Sequence, residues 1–134
     1  MKRILSAILV CILMVGCVFA LASCNPNKDP EKAKEALEDA GYTVVLVDDK
    51  EFLDEDMEAN VTAYDKDGNY ISITYYADKD AAKEAFEEAE DELDDVKEYI
   101  AEILNVEADD LDLEIDKSGK MIWIGTKDAI KAAK

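Results

Sequence analysis

The spacing of apolar residues changes twice between Asn60 and Ile124, and that change constrains the fold more than any other feature of the chain. Asn60 to Asp65 and Asn69 to Tyr76 carry the alternation of strands and read as a hairpin about Asp67-Gly68. Ala82, Ala85, Phe86, Ala89, Leu93, Val96, Ile100 and Ile103 then recur at helical spacing, about 3.6 residues per turn, behind Asp78 as N-cap and ahead of Asn105 as a stop. Alternation returns with Leu111, Leu113 and Ile115, and Ser118-Gly119 turns that strand into Met121 to Ile124.

The flanking segments extend this pattern. Asp29-Pro30 opens a helix, with Asp29 as N-cap and Pro30 in the first turn. Ala33, Ala36, Leu37 and Ala40 give it a narrow apolar stripe, and Gly41 fits its C-terminal stop. Tyr42 to Val47 reads as a buried strand rich in β-branched residues. Asp48 to Glu58 is an acidic connection in which Phe52 and Leu53 are expected to touch the core. Thr126 caps a short final helix with Ala129, Ile130 and Ala133 inward. The order αβ(ββα)(ββα), with strands close in sequence, predicts an α+β domain: two layers, a mostly antiparallel sheet, and helices on one face.

The two ββα halves share residues. Asp65-Lys66-Asp67-Gly68 and Ile71-x-Ile73 recur as Asp116-Lys117-Ser118-Gly119 and Ile122-x-Ile124, and Lys79-Asp80-Ala81 recurs as Lys127-Asp128-Ala129. A duplication and a coincidence of composition both account for this, since two copies fall short of a safe repeat.

The first hairpin admits two registers. A two-residue turn at Asp67-Gly68 pairs Tyr64 with Ile71. A three-residue loop with Gly68 in a bulge pairs Ala63 with Ile71 and Val61 with Ile73. The second brings apolar residues together and is preferred. It sends Thr62, Tyr64, Tyr70, Ser72 and, at the far end of the strand, Tyr76 to the face away from the helices. If Ile122 and Ile124 meet the helices as Ile71 and Ile73 do, Met121 and Trp123 join those tyrosines. Tyr64, Tyr70 and Trp123 are therefore the candidate interaction face, because such side chains combine contact area with a polar atom. Their strand propensity also accounts for them as an ordinary half-exposed surface.

The chain starts Met1-Lys2-Arg3, continues apolar from Ile4 to Ala22, and reaches Leu21-Ala22-Ser23-Cys24. A basic start, an apolar run, an aliphatic residue, two small residues and a cysteine resemble the signal peptide and lipobox of bacterial lipoproteins. The resemblance covers residues 1–24 only. It implies cleavage before Cys24, a diacylglycerol on its sulfur, and a domain tethered to the membrane on its extracytoplasmic face. Residues 1–23 are then the signal peptide, 24–28 the lipidated cysteine and a short linker, and 29–134 one acidic domain. An uncleaved transmembrane anchor is the plain alternative for the apolar run, and Cys17 is a rival acylation position. Two acyl chains anchor stably, so no basic patch is required.

Without the signal the chain has 111 residues, with 13 lysines against 33 acids, a charge of −20. Such a domain repels nucleic acid and anionic headgroups and is expected to be monomeric. There is no histidine, Arg3 is the single arginine, and the cysteines are Cys11, Cys17 and Cys24. Histidine-dependent nucleophilic catalysis and His/Cys zinc ligation are therefore excluded, as is bidentate guanidinium recognition in the mature domain. Gly119-Lys120 lacks the remainder of a phosphate-binding loop. The expectation is a non-catalytic binding domain without cofactor or metal, its partner an envelope protein or a small ligand. Acid-rich segments leave weak calcium binding as an alternative, although none matches an EF-hand loop. A carboxylate-dependent hydrolase is a more remote one.

Overall fold

The computed structural model describes residues 25–134; Cys24, Cys17 and the apolar run lie outside the described residues. Helix α1 (Pro30–Asp39) leads into β1 (Thr43–Val47), the hairpin β2 (Met57–Tyr64) and β3 (Tyr70–Tyr76), and helices α2 (Lys79–Asp91) and α3 (Leu93–Leu104). A 3-10 turn (Ala108–Asp110), the hairpin β4 (Glu114–Ser118) and β5 (Met121–Gly125), and α4 (Lys127–Ala132) complete the chain. The α+β class holds: five antiparallel strands stand in the order β1-β2-β3-β5-β4.

Local chemistry sets most boundaries as expected. The Asp29 carboxylate accepts the Glu31 N–H at 3.0 Å at the start of α1. Asp78 accepts the Ala81 N–H at 2.8 Å at the start of α2. Asn105 ends α3 in the left-handed region at φ 57°, as a short polar side chain can. The single long helix expected after Asp78 is two, broken at Glu92. Across the break the i, i+4 pairs Glu87–Asp91, Glu88–Glu92, Glu90–Asp94 and Asp91–Asp95 are all like-charged, which destabilises a continuous helix. Restarting at Leu93 places Asp94 and Asp95 in a first turn, where the helix dipole favours acids.

The hairpin register is the preferred one, with Val61 opposite Ile73 and Ala63 opposite Ile71. Asp65 and Asn69 close a three-residue loop, and Gly68 sits at φ +88°. Ala59, Val61, Ala63, Ile71, Ile73 and Tyr75 thus share one sheet face, packed with Ala33 and Leu37 of α1 and Ala129, Ile130 and Ala133.

The helices do not share that face. Lys117, beside Ile122 in the β4–β5 register, lies with its Nζ 5.1 Å from the Phe86 ring centre. A pocket of about 150 Å³ separates Ser72, Thr74, Ile122 and Ile124 from Ala89 and Val96. These sheet residues alternate with the core-facing Ile71, Ile73 and Trp123, so α2 and α3 cover the second face. The expected two-layer arrangement is corrected to helices on both sides. The signal was present: Met121 to Ile124 is apolar throughout, as strands buried on both faces are.

That division also removes the duplication. Residues matched between the halves, Ile71 with Ile122 and Ile73 with Ile124, point to opposite faces, and the helix following each hairpin packs on a different side. The shared residues are turn and cap chemistry used twice.

Four smaller expectations are corrected. Strand β1 is an edge strand with Val45 52% exposed, not a buried one. Phe52 projects from the acidic connection at 76% exposure, so it does not touch the core. Leu111 and Leu113 precede β4 and join a second cluster with Ile100, Ala101 and Tyr70. Residues 25–28 are docked rather than a free linker: Pro26 is fully buried, and the Asn27 N–H donates to the Ala133 carbonyl at 2.8 Å.

Candidate functional site

The second face of the sheet is unequal. Over β5 and β4 it carries Ile122, Ile124, Ile115 and Lys117, which lie under α2 and α3. Over β1 and β2 it carries Thr43, Val45, Val47, Asn60, Thr62 and Tyr64, which pair across the strands in that order of approach: Thr43 with Tyr64, Val45 with Thr62, Val47 with Asn60. None of these six is buried. Ser72 and Thr74 border the two halves.

A hydrogen-bonded network organises this open half. Asn60 Nδ2 donates to Ser72 Oγ at 3.1 Å and to Thr74 Oγ1 at 3.0 Å, and Thr62 Oγ1 donates to Asn60 Oδ1 at 2.8 Å. The amide is thereby fixed in orientation. Such a surface can hydrogen-bond a polar ligand or a polypeptide. It holds no nucleophile–base pair.

Of the predicted site residues, Tyr64 and Tyr70 are brought together and Trp123 is not. Tyr64 stands directly opposite Tyr70 in the hairpin, on the second face, and is 44% exposed. Tyr70 is half-buried against the α3 cluster. Burial pushes its phenol above the usual range; a hydrogen bond with Ser72 opposes this, and neighbouring Tyr99 adds to it. Trp123 lies opposite Ile73 in the first-face core at 3% exposure, with Met121 beside it. Its assignment to the interaction face is corrected, because a strand covered by helices on both sides gives no alternation from which to choose a face.

Tyr99, 66% exposed on α3 beside Tyr70, was missed by sequence reasoning. Its position off the apolar stripe of that helix was the available signal. Thr126 was expected as a helix cap and makes no capping bond. Its Oγ1 accepts the Tyr70 N–H at 3.1 Å and its own N–H donates to the Tyr70 carbonyl at 2.8 Å, so it clamps the start of β3.

The hairpin loop beside Tyr64 is rigid and acidic. Asp65 Oδ1 accepts the N–H groups of Asp67 and Asn69, each at 2.9 Å, and Oδ2 accepts from Asn69 Nδ2 at 2.9 Å. Partial burial opposes ionisation of Asp65, but hydrogen bonds from Asn69, Asp67 and Gly68 together outweigh it and hold the carboxyl below its ordinary value. Burial, reinforced by the charges of Asp65, Asp128 and Asp67, pushes the Tyr42 phenol up to about 12. A groove of about 640 Å³ opens here, between Gly41, Thr43, Tyr64, Asp65 and Asp67.

A larger groove of about 690 Å³ runs along β4 between Glu114, Asp116, Lys127 and Lys131, with Trp123 and Ile130 at its floor. Its walls carry both charge signs, and Lys127 is 3.8 Å from Glu114. Among the described residues no three acids converge as a metal ion requires, and no helix is long and apolar enough to cross a membrane. Comparison with protein-family models, curated proteins and solved structures finds no match to this chain.

Proposed function

We propose that this protein is a lipid-anchored, extracytoplasmic binding module, held at the membrane by a diacylated Cys24 and engaging its partner through the open half of the second sheet face. The reading of place rests on Leu21-Ala22-Ser23-Cys24. The reading of task rests on one observation: α2 and α3 leave β1 and β2 uncovered on the second face, where Asn60 and Thr62, tied to Ser72 and Thr74 at the border, stand beside exposed Tyr64. Antiparallel sheets commonly leave a face solvated; an exposed aromatic beside fixed polar groups is what suits this one to recognition. The docked Pro26 leaves one residue between Cys24 and the folded body, so an acyl anchor there fixes the domain close to the bilayer.

Metabolic labelling with radioactive fatty acid tests the anchor. The wild-type chain should label, Cys17→Ser should label equally, and Cys24→Ser should not; label retained by Cys24→Ser rejects the assignment. Photo-crosslinking tests the face. A crosslinker at position 64 should capture a discrete partner in intact cells, and one at Glu87, on the outer side of α2, should not. Equal capture from both positions rejects the face.

A further inference from the structure

The two edges of the sheet are built differently. The β4 edge reads Glu114-Ile115-Asp116-Lys117-Ser118, with exposed charges of both signs, an ion pair to Lys127, and Asn25 Nδ2 donating to Ser118 Oγ at 3.4 Å. Charged edges of this kind resist pairing with another chain. The β1 edge reads Thr43-Val44-Val45-Leu46-Val47. It has no charge, proline or bulge, and its five residues pair with β2 in unbroken register. Among the described residues its outer backbone groups meet no protein partner. The same chain that guards one edge leaves the other open.

The surroundings of β1 select what can pair with it. Beyond its C-terminal end stand Asp48 and Asp49. At its N-terminal end lies the groove formed with Tyr64, Asp65 and Asp67, in which Lys66 is the one cation. Asp65 keeps its charge through the pH range of ordinary use, because its hydrogen bonds favour the ionised form. A second copy of this chain would bring the same acids against these, and at −20 per mature domain β1-to-β1 pairing is repelled. An extended segment with lysine or arginine at its ends meets complementary charge at both.

We infer that β1 accepts an extended, basic-ended polypeptide segment as a sixth strand. Main-chain hydrogen bonds to β1 supply affinity. Side chains of the added strand that fall on the second face lie beside Val45, which favours an apolar residue there, and a terminal basic side chain enters the groove by Tyr64 and Asp67. This deepens the proposed interaction role and rests on it for the location of the site, but it does not depend on acylation of Cys24.

The test uses the full chain in detergent micelles and a short synthetic peptide of alternating valine and threonine with lysine at both ends. Hydrogen exchange should slow selectively at Thr43 to Val47 on peptide addition. Affinity, read by fluorescence anisotropy, should fall at least tenfold for Val45→Lys, at least tenfold when the peptide's lysines are replaced by glutamate, and severalfold for Asp67→Lys. Unchanged exchange across β2 and β3 in the Val45→Lys chain verifies that it still folds. Binding that perturbs Tyr64 and Thr62 without protecting β1 overturns strand addition and leaves the face reading standing. Absence of peptide binding overturns strand addition, and the crosslink at position 64 then decides the face reading separately. Protection of β1 that rises with protein concentration alone, with dimers in sedimentation, overturns it in favour of self-pairing.

Discussion

The first sheet face and the open half of the second are made by the same strands, one residue out of step, and they do opposite work. Val61, Ala63, Ile71 and Ile73 on one side are fully buried. Thr62, Tyr64 and Ser72 on the other are half-buried or exposed, and Thr62 Oγ1 donates to Asn60 Oδ1 at 2.8 Å. Strand pairing is shared by both faces, so it cannot account for the difference. The helices do: α1 and α4 pack the first face over β1, β2, β3 and β5, while α2 and α3 reach only β3, β5 and β4 on the second. Stability is therefore concentrated on one side of the sheet, and substitutions on the other are free to serve recognition.

Replacing Trp123 breaks the comparison most severely. Trp123 is packed opposite Ile73 in the first-face core, so Trp123→Ala should cost about 3–5 kcal/mol of unfolding free energy. Wild-type tryptophan emission should be blue-shifted and poorly quenched by acrylamide. A loss below about 1 kcal/mol, with red-shifted emission, would return Trp123 to the surface.

Gly125 tests how closely the first face is assembled. A Cβ there would stand 2.7 Å from the Tyr70 carbonyl oxygen and 3.0 Å from both Ile71 Cα and Cβ. Two of these are backbone atoms of the neighbouring strand, which cannot swing away as a side chain can. Gly125→Ala should cost about 1–3 kcal/mol through forced separation of β3 and β5, read as a lowered urea midpoint with unchanged slope. A neutral outcome would mean that β3 and β5 separate without cost at this position.

These two sites mark where the sequence was legible and where it was not. The first hairpin was readable because Val61, Ala63, Ile71 and Ile73 alternate with polar residues, so one register alone buries them all. Caps at Asp29, Asp78 and Asn105 were readable because each rests on local geometry. Trp123 was misplaced because Met121 to Ile124 has no polar residue to mark an outside. The side taken by α2 and α3 was illegible for a related reason: their apolar stripes say that each packs on something, not on which side of the sheet. The open half of the second face was found through its tyrosines, whereas the fixing of Asn60 by Ser72 and Thr74 depends on distances between strands that no spacing rule supplies.

Asp65 holds the two faces in their assignments. A slip of one residue between β2 and β3 would exchange them, and the Asp65 carboxylate pins the loop through Asp67 and Asn69. Asp65→Ala should cost about 1 kcal/mol at neutral pH, since the hydrogen bonds are partly solvated. The folded carboxyl ionises below its ordinary value of 3.8. Its contribution is therefore complete above that value and is lost as pH falls through the lower folded value. Urea titrations of wild type and variant should differ at neutral pH and converge under strong acid. A gap that persists in acid would assign the effect to loop packing instead.

Tyr64 is the smallest predicted change in stability and the sharpest test of the division. It shares β2 with Val61 and Ala63 and is the same residue type as Tyr75, yet the two tyrosines stand on opposite faces. Tyr75 is 7% exposed and its hydroxyl donates to the Asn27 carbonyl at 2.6 Å; Tyr64 is 44% exposed with no such bond among the described residues. Tyr75→Phe should therefore lose about 1 kcal/mol, the ordinary worth of one buried hydrogen bond. Tyr64→Ala removes far more atoms but should change unfolding free energy by no more than about 0.5 kcal/mol, as exposed positions do. If the open face is an interface, the same substitution should weaken partner binding by more than about 2 kcal/mol, as loss of an aromatic anchor does. Measured side by side, a Tyr64→Ala that destabilises the fold more than Tyr75→Phe would show that both faces are built for packing.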